Sequence, residues 1–250
     1  MTTLVFLHAH PDDEALLTAG TMARAAAEGH RVVLAVATDG AAGLTSADYR
    51  DDLAGVRARE LERSAEILGT ARLDQWGYAD SGLTGDAPGG FAAGNIDDQV
   101  ARLVELVESE RADVLVGYDP SGGYGHPDHL RVHRVAREAA SRIRAHRSLR
   151  HFEATLPREP IARAVRAAAR LHLTPDDFDS TEFDRAWTPG RDITHRVDVR
   201  PYAEAKRASM AAHASQAAAD DSTRTLGVLT RLPGPAYRLL LGTEYYVQVR

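Results

Sequence analysis

Two short clusters of histidine and aspartate contain the side chains of this chain that could carry out chemistry together. Residues 8–14 read HAHPDDE, and residues 122–129 read GGYGHPDH. Both clusters offer imidazole nitrogens and carboxylate oxygens, which are ligands that divalent metal ions accept in proteins. The chain contains no cysteine, so a metal site would have to be built from nitrogen and oxygen ligands alone. Chemistry that depends on a bound cation is therefore the first hypothesis.

A simpler role exists for the acidic residues of the first cluster. An aspartate placed before a helix often caps the free backbone N–H groups, and Asp12 or Asp13 could serve in this way. One carboxylate is enough for a cap, however, and an adjacent pair beside His10 leaves a second negative charge that a divalent cation would neutralise. The second cluster could likewise be a glycine-rich turn with a helix start at 126–128. The two clusters together weaken the simpler explanation more than either does alone.

Both clusters follow predicted strands, which would bring them to one edge of a sheet. Leu4–Leu7 and Asp113–Gly117 are short apolar runs that are typical of buried strands. Parallel strands end at a common edge, and ligands of open parallel sheets bind there. Pro11 fixes its own φ and favours an extended His10, while the glycines of 122–125 allow the backbone to approach a ligand closely. We therefore expect the two clusters to meet.

The motifs AHPDDE at 9–14 and GHPDH at 125–129 resemble those of the PIG-L/LmbE-type zinc-dependent de-N-acetylases. That family includes GlcNAc-phosphatidylinositol deacetylases and the bacterial deacetylases of mycothiol and bacillithiol synthesis. Further similarity lies at residues 57–60, residues 78–82, His213 and Gln216. The resemblance covers most of residues 1–145 well and the C-terminal third weakly.

The resemblance implies a division of roles within the two clusters. His10, Asp13 and His129 would bind the metal, Asp12 would be the general base, and His126 would act as an acid or as an electrostatic stabiliser. The chemistry agrees with this division, because a catalytic zinc ion keeps three protein ligands and leaves a position for water. Asp12, adjacent to a ligand, can then accept the proton of that water, and His126 can stabilise an oxyanion or protonate the leaving amine.

Further residues receive expected roles with simpler alternatives beside them. Asp128 would orient a site histidine through its other N–H, or else cap a helix. Tyr124 would contact the oxyanion or the substrate, or else only pack. Arg57 and Asp80 resemble family residues that hold sugar hydroxyls, although Arg57 could equally pair with Glu60 along a helix. The remaining histidines that lack matching partners are expected to be packing or surface residues, namely His8, His30, His133, His146, His151, His172 and His195.

The order of predicted elements indicates an α/β fold, with a Rossmann-like, mostly parallel sheet that carries helices on both faces and an irregular C-terminal extension. Strands are expected at 4–7, 31–37, 72–76, 113–117 and 149–155. Helices are expected at 14–28, 53–68, 96–109, 128–145, 159–170 and 202–218. Loops are expected at 38–52 and 77–94, irregular structure at 171–200, and a strand or two at 236–248. We expect a single domain over 1–250, with its core in 1–156 and a variable part in 157–250.

Composition excludes some classes of function. A net charge of −6 gives no overall positive field that would draw the chain to nucleic acid. The longest apolar runs are too short for membrane insertion, and residues 1–8 carry no basic leader, so a cytoplasmic location is expected. A homo-oligomer stays open, because nothing in the sequence determines the oligomeric state.

The sequence therefore predicts a metal-dependent hydrolase that removes an N-acyl group, in the first place N-acetyl, from an amino sugar or a GlcNAc-containing conjugate by cleaving a linear amide C–N bond. One Zn²⁺ per chain is expected, with Fe²⁺ or another divalent ion as the alternative. A mycothiol-S-conjugate-type amidase and a natural-product deacetylase are alternatives within the family. A non-catalytic metal- or sugar-binding module would not need both Asp12 and His126. A phosphoesterase would usually need two metal ions, and these ligands suffice for one.

Overall fold

A seven-stranded sheet forms the centre of the molecule. The computed structural model describes residues 1–43, 52–85, 87–171, 179–219, 222–223 and 225–250. The strands are β1 (Thr3–His8), β2 (Arg31–Thr38), β3 (Arg72–Tyr78), β4 (Val114–Tyr118), β5 (Arg150–Thr155), β6 (His195–Asp198) and β9 (Thr243–Val249), with a separate pair formed by β7 (Ala218–Ala219) and β8 (Ser222–Thr223). His172 and parts of the expected loops at 38–52 and 77–94 lie outside the described residues.

Helices connect most of these strands. They are α1 (Asp13–Leu17), α2 (Ala19–Ala27), α3 (Leu53–Ile67), α4 (Ile96–Ser109), the single turn α5 (Gly122–Gly125), α6 (Pro127–Arg144), α7 (Arg158–Arg170), α8 (Ala203–Ala212), α9 (Thr225–Thr230) and α10 (Gly234–Leu241). Short 3₁₀ turns lie at Phe91–Ala93, Ser180–Asp184, Arg200–Tyr202 and Ala214–Gln216. In the described ranges, no helix combines the length and apolar character needed to cross a membrane.

The strand order is β3-β2-β1-β4-β5-β9-β6, and the first five of these strands are parallel. The chain adds β2 and β3 on one side of β1, then returns to place β4 on its other side. The order therefore reverses between β1 and β4, which is the position where open α/β sheets bind their ligands at the carboxyl ends of the strands. The predicted α/β class is confirmed, and both histidine–aspartate clusters follow the two strands at the reversal.

Alternate side chains of β1 show why the sheet is covered on both faces. Val5 and Leu7 are fully buried in a cluster with α4 and α6, whereas Phe6 is fully buried on the other face with α2 and α3. A strand buried on both faces reads as a continuous apolar run, as residues 4–7 do. The sheet and its helices thus hold the ends of β1 and β4 rigidly.

The helix expected at 14–28 is divided at Thr18, because tertiary contacts compete with the helical pattern there. Thr18 has φ −135°, and its hydroxyl lies 2.8 Å from Nε2 of His8. Glu244, on β9, accepts hydrogen bonds from the backbone N–H groups of Gly20 and Thr21 at 2.8 Å each, which caps the start of α2 from a remote strand. Local sequence carried no sign of this cap.

The C-terminal part is more regular than its sequence suggests. Residues 234–241 form α10, where a strand was expected from 236, and the strand begins only at Thr243. The strand β9 pairs antiparallel with β5, and β6 pairs antiparallel with β9, so this part extends the main sheet. The position of β9 depends on its pairing with β5, and that of the edge strand β6 on its pairing with β9, which short apolar patterns do not reveal.

The buried His151 on β5 makes stability depend on pH. Burial in the first place, with Arg144 and His133 nearby, lowers the pKa of His151 to about 3. Both ring nitrogens lack hydrogen-bond partners among the described residues. The pKa of a histidine in the unfolded chain is about 6.5. Between this pH and the lower pKa of the folded state, His151 is protonated in the unfolded chain and neutral in the folded protein. The free energy of unfolding therefore falls as the pH falls through this window.

We expect His151→Leu to remove this dependence. Its free energy of unfolding should fall less than that of the wild type between about pH 7.5 and about pH 5, and the difference should be about 2 kcal/mol. Urea denaturation of both proteins at both pH values measures it. An equal pH dependence in the two proteins would contradict the assignment of a neutral buried imidazole.

Candidate metal centre and active site

Three donor atoms from the two clusters form a nearly equilateral triangle. Nδ1 of His10 lies 3.3 Å from Oδ2 of Asp13, Nε2 of His129 lies 3.3 Å from the same oxygen, and the two nitrogens are 3.2 Å apart. A tetrahedral ion with bonds of about 2.0 Å to its ligands requires ligand atoms about 3.3 Å apart. Two imidazole nitrogens and one carboxylate oxygen therefore stand where three ligands of a tetrahedral divalent ion would stand.

Local structure explains why these atoms meet. The strands β1 and β4 are parallel neighbours, and α1 begins at Asp13 while α6 carries His129 in its first turn. The backbone N–H of His10 donates to Oδ2 of Asp13 at 2.8 Å, which closes a tight turn after β1. A helix N-terminus carries partial positive charge, which favours an anionic side chain such as Asp13 in its first turn.

The second ring nitrogen of His10 faces the other carboxylates of the site. Nε2 of His10 lies 3.2 Å from Oδ2 of Asp128 and 3.5 Å from Oδ1 of Asp80. Asp128 also accepts hydrogen bonds from the backbone N–H groups of Ser81 at 2.9 Å and Ala92 at 3.0 Å. At the start of α6, the side chain that accepts a hydrogen bond from the backbone is that of His126. The carboxylate of Asp128 is instead directed to the imidazole of His10 and to the loop after β3.

Alternative donor sets overlap with this triangle. His10, His126 and His129 have ligand atoms within 4.8 Å of one another, and so have His10, Asp80, His126 and Asp128. The second set lies on the Nε2 side of the His10 ring, whereas the triangle uses Nδ1.

Burial by itself would lower the pKa of His10, but Asp128, Asp13 and Asp80 outweigh it and raise the pKa well above its ordinary value. The site therefore concentrates negative charge that a bound cation would balance.

Asp12 occupies an unusual backbone conformation at the edge of the triangle. Its φ is 112°, and its side chain makes no hydrogen bond that caps α1. Oδ1 of Asp12 lies 3.4 Å from Nη2 of Arg57. Burial, together with the neighbouring Asp13, raises the pKa of Asp12 above its ordinary value against the opposing charge of Arg57. A carboxylate with a raised pKa is better suited to accept a proton.

Arg57 and Asp80 line the same cavity and are also bonded within the protein. Nη1 of Arg57 donates to the carbonyl oxygen of Gly40 at 2.6 Å, and its Nη2 donates to the carbonyl oxygen of Pro11. Asp80 accepts from the backbone N–H of Gly82 at 2.9 Å. Burial opposes ionisation of Asp80, yet hydrogen bonding to His10 and the charge of that ring lower the pKa of Asp80 to about 2.

The rings of His126 and Tyr124 lie beside the triangle. The ring of His126 lies 4.6 Å from that of His10 between centroids, and its Nδ1 accepts from the backbone N–H of Asp128 at 3.2 Å. A neutral His126 ring therefore carries its proton on Nε2. Burial, followed by the nearby His10 and His129, lowers the pKa of His126 to about 4. Tyr124 is half-exposed, with its ring centroid 5.2 Å from that of His129.

The site opens through a small cavity into a larger groove. The cavity has a volume of about 190 Å³, and the adjoining groove has a volume of about 900 Å³. The two share Leu83, Tyr124 and His126 in their walls. Asp179, Thr181, Asp184 and Arg185 add polar side chains to the groove.

Sequence analysis assigned no role at the site to some of the residues around it. His8, expected to be an ordinary packing residue, lies directly before the turn and bonds through Nδ1 to the hydroxyl of Tyr118 at 2.8 Å. That hydroxyl also accepts from the backbone N–H of Ala9 at 3.1 Å. Glu14 was visible in the first motif without a role, and its Oε1 lies 2.6 Å from Nε2 of His213. The position of Tyr118 at a strand end was the available signal, whereas no local pattern pairs Glu14 with His213.

Comparison with known proteins identifies similar chains. The family model described as "GlcNAc-PI de-N-acetylase" (PIG-L) matches residues 5–140. The 1D-myo-inositol 2-acetamido-2-deoxy-alpha-D-glucopyranoside deacetylase of Saccharomonospora viridis is 35% identical over 263 residues, which cover 99% of this chain and 95% of that protein. The protein of the same description from Streptomyces griseus is 38% identical over 272 residues, covering 99% and 83%.

A solved structure shows the same fold at lower identity. The N,N'-diacetylchitobiose deacetylase from Pyrococcus horikoshii aligns with a TM-score of 0.62 and 21% identity, covering 99% of this chain and 84% of that one. At this identity the similarity concerns the fold alone. It agrees with the α/β architecture described above.

Arg57→Lys should loosen the turns that carry the site. A lysine keeps the charge but has no planar fork, so it cannot hold the carbonyl groups of Gly40 and Pro11 together. Leaving one buried carbonyl unpaired should lower the free energy of unfolding by about 1–3 kcal/mol. Arg59→Lys is the matched control, because Arg59 lies on the same helix and is exposed. Urea denaturation compares them, and equal effects of the two substitutions would contradict this role.

Proposed function

The chain belongs to the PIG-L family of GlcNAc-PI de-N-acetylases, and from this we propose that it removes the N-acetyl group from an N-acetylglucosamine–inositol conjugate. The family resemblance in the two motifs is confirmed. The chain is a deacetylase that hydrolyses an amide bond. Relatives that align over 99% of it carry the name of a deacetylase of such a conjugate. The observation that most supports this function is the triangle of donor atoms with Asp12 and His126 beside it.

The cluster of histidine and aspartate fits a metal site. We propose that the ion is zinc, one per chain, held by His10, Asp13 and His129, with Fe²⁺ as the alternative. Their donor types and spacing favour a tetrahedral ion. A divalent cation bound there would lower the pKa of a water molecule and polarise the amide carbonyl. Asp128 would hold the His10 ring in position by accepting its Nε2–H.

The remaining side chains divide the proton transfers. Asp12 takes a proton from the attacking water as the new C–O bond forms at the amide carbon. The Nε2–H of His126 donates to the developing oxyanion, since its Nδ1 is already engaged. The C–N bond then breaks, and the proton held by Asp12 goes to the leaving nitrogen, so that acetate and a free amine are the products. Tyr124, whose ring centroid lies 6.1 Å from that of His126, would contact the oxyanion or the sugar.

The two spaces at the site suit the two parts of such a substrate. A cavity of about 190 Å³ beside the donor triangle accommodates a short acyl group. The larger groove would take the rest of the conjugate, where Asp179, Asp184 and Arg185 can hydrogen-bond hydroxyl groups. Arg57 and Asp80 would bind sugar hydroxyls nearer the reacting amide. The names of the aligned relatives favour deacetylation over the amidase alternative, whose acyl group is a substituted cysteine.

Measuring amine release from a panel of amides tests this assignment. The panel contains the N-acetylglucosamine–inositol conjugate, free N-acetylglucosamine, N,N'-diacetylchitobiose and a mycothiol S-conjugate, each with zinc-loaded and metal-stripped protein. We expect the highest kcat/KM for the inositol conjugate and little release after metal removal. Turnover of the S-conjugate alone would show that the protein is an amidase, and release that survives metal removal would exclude the proposed chemistry.

Asp12→Asn should separate metal binding from turnover. The amide keeps the shape of the side chain but cannot accept a proton as a carboxylate does, so kcat should fall by about 10²- to 10⁴-fold. Zinc content, measured by elemental analysis of the purified protein, should stay at one ion per chain. Asp13→Asn is the comparison variant, and it should lose zinc as well as activity. Wild-type turnover by Asp12→Asn would rule out Asp12 as the base.

A further inference from the structure

The backbone of Asp12 needs support from outside its own turn. A φ of 112° lies in the region that residues with a side chain seldom adopt, and such conformations persist where neighbouring contacts hold them. The backbone carbonyl oxygen of Asp12 accepts a hydrogen bond from the backbone N–H of Ala15 at 3.1 Å, as expected at a helix start. Its own backbone N–H points to a side chain, Oε2 of Glu14, at 3.0 Å.

Glu14 connects Asp12 to two other helices. It is fully buried in the first turn of α1, and its Oε1 accepts from Oγ of Ser64 on α3 and from Nε2 of His213 after α8, at 2.6 Å each. One carboxylate oxygen thus holds the turn of Asp12 while the other is held by two side chains. A buried carboxylate with several donors has little freedom to move.

His213 donates a side-chain hydrogen bond to this carboxylate and to no other group among the described residues. Its side chain is fully buried, its Nε2 bonds to Glu14, and its Nδ1 has no partner there. The residues that follow are anchored separately, because Ser215 bonds to Glu60 on α3 through its backbone N–H at 2.8 Å and its hydroxyl at 2.6 Å. The segment after α8 is therefore a fixed support on which the His213 ring is mounted.

We propose that His213 and Glu14 form a positioning pair that holds the backbone of Asp12 in the conformation needed for general-base catalysis. The C-terminal part of the chain then contributes to the reaction through a contact between residues 199 positions apart, without touching the substrate. The inference rests on the proposed function, since it assigns Asp12 the role of the base.

A positioning role differs from a purely structural one in what it changes. Asp12 is not a corner of the donor triangle, so a small displacement of its carboxylate should lower kcat and leave both KM and zinc affinity in place. A structural pair that only joins α1, α3 and α8 would alter stability without a selective effect on kcat. Misplacement of a reacting group by about 1 Å can cost about 100-fold in rate.

Two substitutions at one position provide the test. His213→Gln can still donate an N–H to Glu14, whereas His213→Leu fills similar space without a donor. We expect kcat within about threefold of wild type for the first and a fall of about 10- to 100-fold for the second, with KM and the zinc dissociation constant changed by less than about threefold. His151→Leu, which also removes a buried imidazole but from β5 and outside the lining of the site cavity, should keep wild-type kcat. A crystal structure of His213→Leu should show φ of Asp12 outside the left-handed region.

Three results would overturn the proposal. One is a folded His213→Leu protein with wild-type kcat, and another is a loss of zinc affinity that accounts for its whole loss of activity. The third is an unchanged φ of Asp12 in the variant structure. If His213→Leu does not fold, Ser64→Ala removes the other donor to Glu14 and must show the same selective fall in kcat, with Ser209→Ala as its control. A wild-type protein inactive on every acetamide would refute the proposed function, while the variant structure would still test the pair.

Discussion

The parallel pairing of β1 with β4 is the constraint on which the site depends. Leu4, Val5 and Phe6 pair in register with Val114, Leu115 and Val116, so the two strands end at the same height. The turn after β1 and the loop after β4 are then forced to meet above the sheet. Because both strands are buried on both faces, the sheet cannot shift by a residue without exposing apolar side chains. This pairing therefore brings His129 beside His10 and Asp13.

Charge at the meeting point is the second constraint. Asp12, Asp13, Asp80 and Asp128 bring four carboxylates to a largely buried region. Arg57 offsets the charge of Asp12, and the imidazole of His10 lies between the other three. Such an arrangement is costly unless the charges are paired. A bound divalent cation therefore fits the electrostatics of the site as well as its geometry.

Support for the turn of Asp12 comes from elements distant in sequence. Arg57 on α3 ties the carbonyl of Pro11 to Gly40, and Glu14 ties the backbone of Asp12 to His213. The C-terminal elements that provide His213 are themselves fixed by a fully buried ion pair, Lys206 to Glu244 at 2.6 Å. The C-terminal part of the chain, where sequence patterns are weakest, thus stabilises the turn of Asp12, where the motif is strongest.

Much of the fold, and the candidate residues for the site, followed from sequence, because those features are encoded locally. Apolar strands that alternate along the chain with amphipathic helices predict a layered α/β fold. The motifs at 9–14 and 125–129 show which chemical groups are available to the site. Tertiary structure alone decided that Nδ1 of His10 is the ring nitrogen in the donor triangle, that Asp128 bonds to His10, and that the first helix breaks at Thr18. Those outcomes depend on contacts between residues up to 224 positions apart, such as Gly20 with Glu244, and no local pattern records such distances. Residue types therefore determined which chemistry is available, and packing decided which atom of each residue performs it.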